Sequence, residues 1–148
     1  MAEDADTRAG MHSGSYCLSG KQGPEAREAI DEILALVSRA CFEESQVFAI
    51  RLALEEAMQN AFRHGNRNDP RKVVTVVYEV DGECIRLKVT DEGGGFDLSS
   101  VPDPTRSENL DLPSGRGIQL MCSYMDEVHH VPPGNQVVMT CRRRGGST

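Results

Sequence analysis

Residues 73–91 read VVTVVYEVDGECIRLKVTD, and this stretch decides what kind of fold the chain can make. Val73 to Val80 and Glu83 to Asp91 are two β-rich runs on either side of Asp81-Gly82, a dipeptide suited to tight reversal. In the second run Ile85, Leu87 and Val89 alternate with Arg86, Lys88 and Thr90, the period of a strand with one covered face and one wet face. The pair reads as an antiparallel hairpin, and its apolar face needs another layer laid against it.

Two upstream segments supply that layer. Gly23-Pro24-Glu25 opens a helix with proline at the first helical position and an acid in the first turn. Ala26, Ala29, Ile30, Ile33, Leu34 and Val37 then recur at steps of three and four as far as about Ala40. A second helix starts near Glu43, carries Val47, Ile50, Leu54, Ala57, Met58 and Ala61 on one stripe, and ends at Gly65, read as a left-handed cap. Asn66-Arg67-Asn68-Asp69-Pro70 is turn chemistry. Ahead of the helices a short strand fits Ser15 to Ser19. Residues 1–13 are small, polar and acidic, and read as a flexible tail before a single domain over 14–144.

Downstream, Leu98 to Ser114 holds three prolines and no period, and a loop of that length in a compact domain reads as a lid. A helix from Arg116 to Tyr124, a strand at Glu127 to Val131, a turn at Pro132-Pro133-Gly134-Asn135 and a strand at Gln136 to Arg142 complete the order. That order predicts an α+β fold, a two-layer sandwich in which a mixed, mainly antiparallel sheet carries helices on one face.

Composition sets limits on function. Of 148 residues 39% are hydrophobic and 26% charged, enough for a core. Lys and Arg number 16 against 23 Asp and Glu, so the net charge of −7 argues against a chain that coats nucleic acid or an anionic membrane. No run approaches the roughly 18 apolar residues that span a bilayer. Five cysteines, scattered and without a C-x-x-C pair, with no signal-peptide pattern, read as reduced thiols of a cytoplasmic protein. Cys84 and Cys122 read as small buried apolar residues, Met58, Met121 and Met125 as core fillers, and Arg142-Arg143-Arg144 as a solvated terminus.

Three polar features stand out from this framework. Glu56, Asn60 and His64 step by four along the second helix, so neighbours lie about 5–6 Å apart at Cβ. A solvated face has the same spacing, but an amide oxygen there suits a hard cation, and a carboxylate one turn away can take a proton from a nucleophile. Asp91-Glu92-Gly93-Gly94-Gly95-Phe96 follows the hairpin. Its glycines allow close backbone approach, and a sheltered Asp91 can accept a hydrogen bond from an exocyclic amine such as adenine N6, although an exposed glycine turn reads the same way. Ser114-Gly115-Arg116-Gly117 opens a helix, where free N–H groups can hold phosphate or merely begin a helix. No Walker A loop occurs, and a Rossmann fingerprint is excluded because this G-x-G follows a loop and lacks the third glycine.

EEAMQNAFRHGN (Glu55 to Asn66), DEGGGFD (Asp91 to Asp97) and SGRGIQLM (Ser114 to Met121), in this order, resemble the N, G1 and G2 boxes of the GHKL superfamily of histidine-kinase-like ATP-binding domains. The resemblance covers about Ser15 to Arg142 and is strongest toward the small anti-sigma-factor serine kinases of bacteria. It implies a Bergerat-type ATP-binding fold and a cytoplasmic ATP- and Mg²⁺-dependent protein serine/threonine kinase. Such a kinase phosphorylates a STAS-domain anti-anti-sigma protein and regulates a sigma factor, without direct contact with nucleic acid or membrane; relatives of this type are often homodimers.

By this resemblance Glu56 is the general base and Asn60 binds Mg²⁺ between the phosphates. Asp91 takes the adenine amine, Gly93 and Gly95 line the base and ribose side, and Gly115 and Gly117 face the phosphates. Arg63 and His64, within the N box, belong to the implied ATP-binding set, as does Arg116 within the last box, which can reach a phosphate or stay solvated. A non-catalytic ATP-binding regulatory module and a histidine-kinase-like domain working in trans are the alternatives. The histidines His12, His64, His129 and His130 do not lie on a helical dimerisation hairpin, so autophosphorylation on histidine is not encoded in this chain alone. Where the family often has a threonine near the start of its last strand, this chain reads Gly134-Asn135-Gln136, and either amide can replace the hydroxyl.

Overall fold

The structure is a computed structural model that describes residues 11–20, 23–93, 125–131 and 135–144. A strand β1 (His12–Ser19) leads into helix α1 (Pro24–Arg39) and helix α2 (Glu44–Gln59), which continues as a π-helical turn (Asn60–Gly65). Strands β2 (Val73–Val80), β3 (Cys84–Thr90), β4 (Glu127–Val131) and β5 (Gln136–Arg142) follow. The first strand starts at His12, so the last two residues expected in the tail belong to the sheet. The expected loop at 98–114 and the helix from Arg116 lie outside the described residues.

The sheet order is β1-β2-β3-β5-β4, and all four pairings are antiparallel. Inward positions alternate as the hairpin pattern requires: Val74, Val76 and Val80 on β2, Ile85, Leu87 and Val89 on β3, Val137, Met139 and Cys141 on β5 are all buried. Against them lie Ile33 and Val37 of α1 and Ile50, Leu54, Met58 of α2, with Phe62 of the π turn, each essentially inaccessible to solvent. Burying one such side chain is worth about 1.5–3 kcal/mol, so this two-layer interior is what holds the fold together. Met58 and Met125 are buried as core fillers; Cys84 is only partly buried, since its strand position points off the core face, while Cys141 is the enclosed thiol.

The hairpin turn sits one residue later than the Asp81-Gly82 reading. The Asp81 N–H donates to the Cys84 carbonyl at 3.0 Å, leaving Gly82 and Glu83 at the tip. Asp81 Oδ1 accepts from the N–H groups of Glu83 (2.7 Å) and Cys84 (2.9 Å), so an aspartate cap shapes the reversal.

Helix α2 begins with a capping box in which Gln46 Oε1 accepts the Glu43 N–H at 3.3 Å. Gln46 is buried, and its amide reaches further: Nε2 donates to the Arg142 carbonyl at 2.6 Å and Oε1 accepts the Arg144 N–H at 3.0 Å. Arg142 and Arg144 are exposed, as the reading of the arginine run as a solvated terminus expects, but the backbone of the run is stitched to the helix start and it is ion-paired through Arg142–Glu127 and Arg144–Asp126, both 3.1 Å. On the far edge the Tyr16 hydroxyl of β1 donates to Glu32 of α1 and its ring stacks on Tyr78, with centroids 5.9 Å apart.

Candidate nucleotide site

The ends of β1 and β3 and the starts of β2 and β5 meet on one side of the sheet, where Ser19 pairs with Val73 and Thr90 with Gln136. Helix α2 arrives at this same side. The Asn60 N–H still bonds the Glu56 carbonyl, so Glu56 and Asn60 are one α-helical turn apart and half-buried, as the spacing requires. Beyond Asn60 the chain widens: the Asn66 N–H reaches back five residues to the Ala61 carbonyl at 2.8 Å. Single π turns of this kind interrupt α-helices mostly where a site must be shaped. Here the turn breaks the regular step of the polar stripe, and Arg63 and His64 emerge exposed.

Gly65 is not the left-handed cap expected of it. Positive φ falls instead on Arg67 (56°) and Asn68 (57°), the two central residues of a turn closed by the Asp69 N–H on the Asn66 carbonyl at 3.0 Å. Asparagine tolerates this region well and arginine less so. What Gly65 provides is close approach: a Cβ there would collide with both the carbonyl carbon and the oxygens of the Asp91 carboxyl group. Gly93 faces the same constraint from the other side, since a Cβ on it would run into the Gly65 carbonyl group. The two glycines let the end of the π turn and the Asp91 turn lie backbone against backbone.

Asp91 is 9% exposed. Its Oδ1 accepts the Gly93 N–H at 2.8 Å, its N–H donates to the Asn135 carbonyl at 2.9 Å, and its carbonyl accepts from Asn135 Nδ2 at 2.9 Å. Gln136 Nε2 donates to Thr90 Oγ1 at 2.9 Å. The side-chain amides of Asn135 and Gln136, at the start of β5, therefore bind β3 and its exit.

Burial raises the Asp91 carboxyl above the usual carboxylate range, while the Gly93 N–H and the charge of Lys72 pull the other way. Glu56 is likewise raised by burial and opposed by the Arg63 guanidinium. His64 is lowered by burial and then by Arg63, which keeps its ring neutral near pH 7. Asp91 on its glycine-lined turn and Glu56 on α2 are thus two carboxyls with a raised affinity for protons, each able to accept a hydrogen bond or a proton.

Of the residues expected in the site, Glu56 and Asn60 lie one turn apart on α2, Asp91 and Gly93 lie on the turn after β3 where they pack against Gly65, and Arg63 and His64 are exposed. Gly95, Gly115, Arg116 and Gly117 lie outside the described residues. Sequence reasoning passed over Asn66, which is 0% exposed. Its Nδ2 donates to the Val73 carbonyl at 2.9 Å, and its Oδ1 accepts the Glu92 N–H at 2.7 Å. An asparagine after a helix-ending glycine reads as an ordinary turn residue, and no local pattern distinguishes a buried one.

The residues that could hold Mg²⁺ fit it. Among the described residues no group of three or more His, Cys, Asp or Glu could cage a metal. Mg²⁺ needs none, because it takes most of its shell from water and phosphate oxygens and few ligands from the protein. The half-buried amide of Asn60 beside Glu56 offers oxygen donors of the right hardness.

Comparisons with known proteins give the family of the chain. An anti-sigma F factor of Geobacillus stearothermophilus is 31% identical over 98 residues, 65% of this chain and 67% of the relative. One of Clostridium botulinum (strain Eklund 17B / Type B) is 33% identical over 104 residues, 68% of this chain and 70% of the relative. Another, from Geobacillus kaustophilus, is 35% identical over 81 residues, and there the match spans 53% of this chain and 56% of the relative. The profile of the histidine kinase-like ATPase domain matches residues 21–141, which contain α1 to β4 and all but the last residue of β5, and the chain belongs to that family.

Proposed function

We propose that the protein is an ATP- and Mg²⁺-dependent protein serine kinase of the anti-sigma type, acting in the cytoplasm on a small STAS-domain antagonist and through it on a sigma factor. The family supports ATP binding, and relatives named anti-sigma F factor support the regulatory setting. The observation that carries the catalytic reading is Glu56, a half-buried carboxyl raised by desolvation and set one turn before Asn60. A raised carboxyl is a better proton acceptor near neutral pH than an exposed one.

In this reading Asp91 accepts from the adenine amine, the close approach of Gly65 and Gly93 holds the Asp91 turn in place, and Asn60 holds Mg²⁺, which neutralises phosphate charge when bound. Glu56 orients the incoming serine and takes the proton from its Oγ. The Oγ–Pγ bond forms, the bond from Pγ to the β,γ-bridging oxygen breaks, and ADP leaves. Phosphoryl transfer depends mainly on positioning and charge neutralisation, so a base, a metal ligand and a shaped pocket suffice.

The test is transfer from γ-labelled ATP to STAS-domain candidates, with wild type and Glu56→Gln in parallel. Acid-stable label on serine that is lost in Glu56→Gln, with ATP binding retained, is expected. ATP binding with no transfer to any candidate overturns the kinase reading in favour of a binding module, and acid-labile label reveals a histidine acceptor in trans.

A further inference from the structure

Asn66 is a buried amide with every hydrogen-bonding group of its main-chain N–H and side chain committed, and its partners lie on three different segments. Its N–H closes the π turn on Ala61, its Nδ2 holds the first residue of β2, and its Oδ1 holds the N–H of Glu92. Glu92 is the neighbour of Asp91, and the Glu92 side chain in turn accepts the Val73 N–H at 3.0 Å, so residues 66, 73 and 92 form a closed ring of hydrogen bonds. Asp91 is therefore gripped from both sides: Asn135 holds its backbone from β5, and Asn66 holds the next peptide from the π turn.

This matters because of what the Asp91 side chain has left to offer. Oδ1 is occupied by the Gly93 N–H, whereas Oδ2 makes no hydrogen bond among the described residues and stands over Gly65. A donor arriving at Oδ2 meets an acceptor whose direction is set by the 91–93 turn. That turn is registered against α2, and so against Asn60, through the Asn66 amide. We propose that Asn66 is the positioning residue for purine selectivity: it aims Asp91 Oδ2 at the exocyclic amine of adenine, so that loss of its amide erodes discrimination between ATP and a nucleotide with an oxygen at that position. This rests on the reading of Asp91 as the adenine acceptor, and the experiment separates the two.

Binding of ATP and of inosine triphosphate, which carries O6 where ATP carries N6, is measured for wild type, Asn66→Ala and Gln46→Ala. Gln46 is a buried amide with a comparable set of bonds at the opposite end of β5, so its variant matches the general damage of losing such a group. Wild type is expected to prefer ATP by tenfold or more. Asn66→Ala is expected to lose most of that preference, about tenfold in the ratio, as for one misdirected hydrogen bond, and Gln46→Ala to keep it. An unchanged ratio in Asn66→Ala, or an equal fall in Gln46→Ala, overturns the positioning role. A wild type that binds ATP without preferring it to inosine triphosphate overturns the Asp91 reading and this inference with it. If Asn66→Ala does not fold, Asn66→Ser carries the same comparison with the same outcomes.

Discussion

Helices α1 and α2 are both 16 residues long and lie in the same layer, yet they end in opposite ways. Helix α1 stops locally. Cys41 takes the left-handed conformation at φ 70°, its N–H bonds the Ser38 carbonyl at 3.0 Å, and the Phe42 N–H bonds the Val37 carbonyl at 3.4 Å. That is a complete Schellman motif, with buried Phe42 beside buried Val37, and nothing outside the helix takes part. Helix α2 does not stop where its α-ladder does. It widens into a π turn whose Ala61 and Phe62 carbonyls accept the Asn66 and Asn68 N–H groups, and the Asn66 side chain then binds β2 and the Asp91 turn. A helix end closed by its own residues tolerates a poor residue at the strained position, whereas an end closed by two other segments places demands on all three. The site lies at the second kind of end.

The largest effect should come from breaking the shared end. Gly65→Ala places a methyl group on the Asp91 carboxyl, so nucleotide affinity measured by calorimetry should fall at least tenfold, alongside about 1–3 kcal/mol of overpacking strain in a denaturant titration. Any substitution of comparable size at Cys41 should leave affinity unchanged.

Protonation probes the same end without mutation. Because burial raises Asp91, its carboxyl gains a proton at a pH above the ordinary value of about 4. ATP affinity should then fall by up to about tenfold per pH unit on the acid side of that raised value, and Asp91→Asn should abolish this dependence. The sign for stability is opposite. The folded state holds this proton more tightly than the unfolded chain, so the Asp91 contribution favours folding below its unfolded value and is lost as pH rises through its folded one.

Gln46→Ala removes a buried stitch at the start of α2, away from the π turn. It should cost about 1–3 kcal/mol in urea unfolding while leaving nucleotide affinity intact. At the end of α1, Cys41→Gly should stabilise by about 1 kcal/mol, visible as a higher melting temperature, since glycine removes the left-handed penalty. Smallest of all, Arg71→Ala should leave the melting temperature where it is. Arg71 pulls the Asp69 carboxyl down to about 2, but its guanidinium is open to solvent, where water screens the pair, and the main-chain N–H of residue 71 still donates to Asp69 Oδ1 when the side chain is gone.

The helices, hairpin and covered face were legible because each depends on a period or a cap that a short window of residues displays. Glu56 and Asn60 were legible for the same reason, being one α-turn apart on a regular helix. The π turn was not: widening by one residue leaves no mark in hydrophobic periodicity, so Gly65 read as a cap and His64 as a continuation of the stripe. Asn66 was illegible for a deeper reason. Its partners, Val73 and Glu92, are brought to it by sheet formation, and only the tertiary fold turns an ordinary turn asparagine into a buried junction. Cys41 misleads in the same way, since its left-handed φ belongs to a position that sequence preference assigns to glycine.

The strand order has a consequence for how relatives can diverge. Between β3 and β5, which are neighbours in the sheet, the chain travels out to the edge strand β4 and returns. The stretch between β3 and β4 thus connects a central strand to an edge strand rather than two paired strands, and no ladder register depends on its length. A change of length there shifts no register in this sheet, while a single added residue between Asn66 and Val73 would displace Val73 and with it the ring of hydrogen bonds at the site.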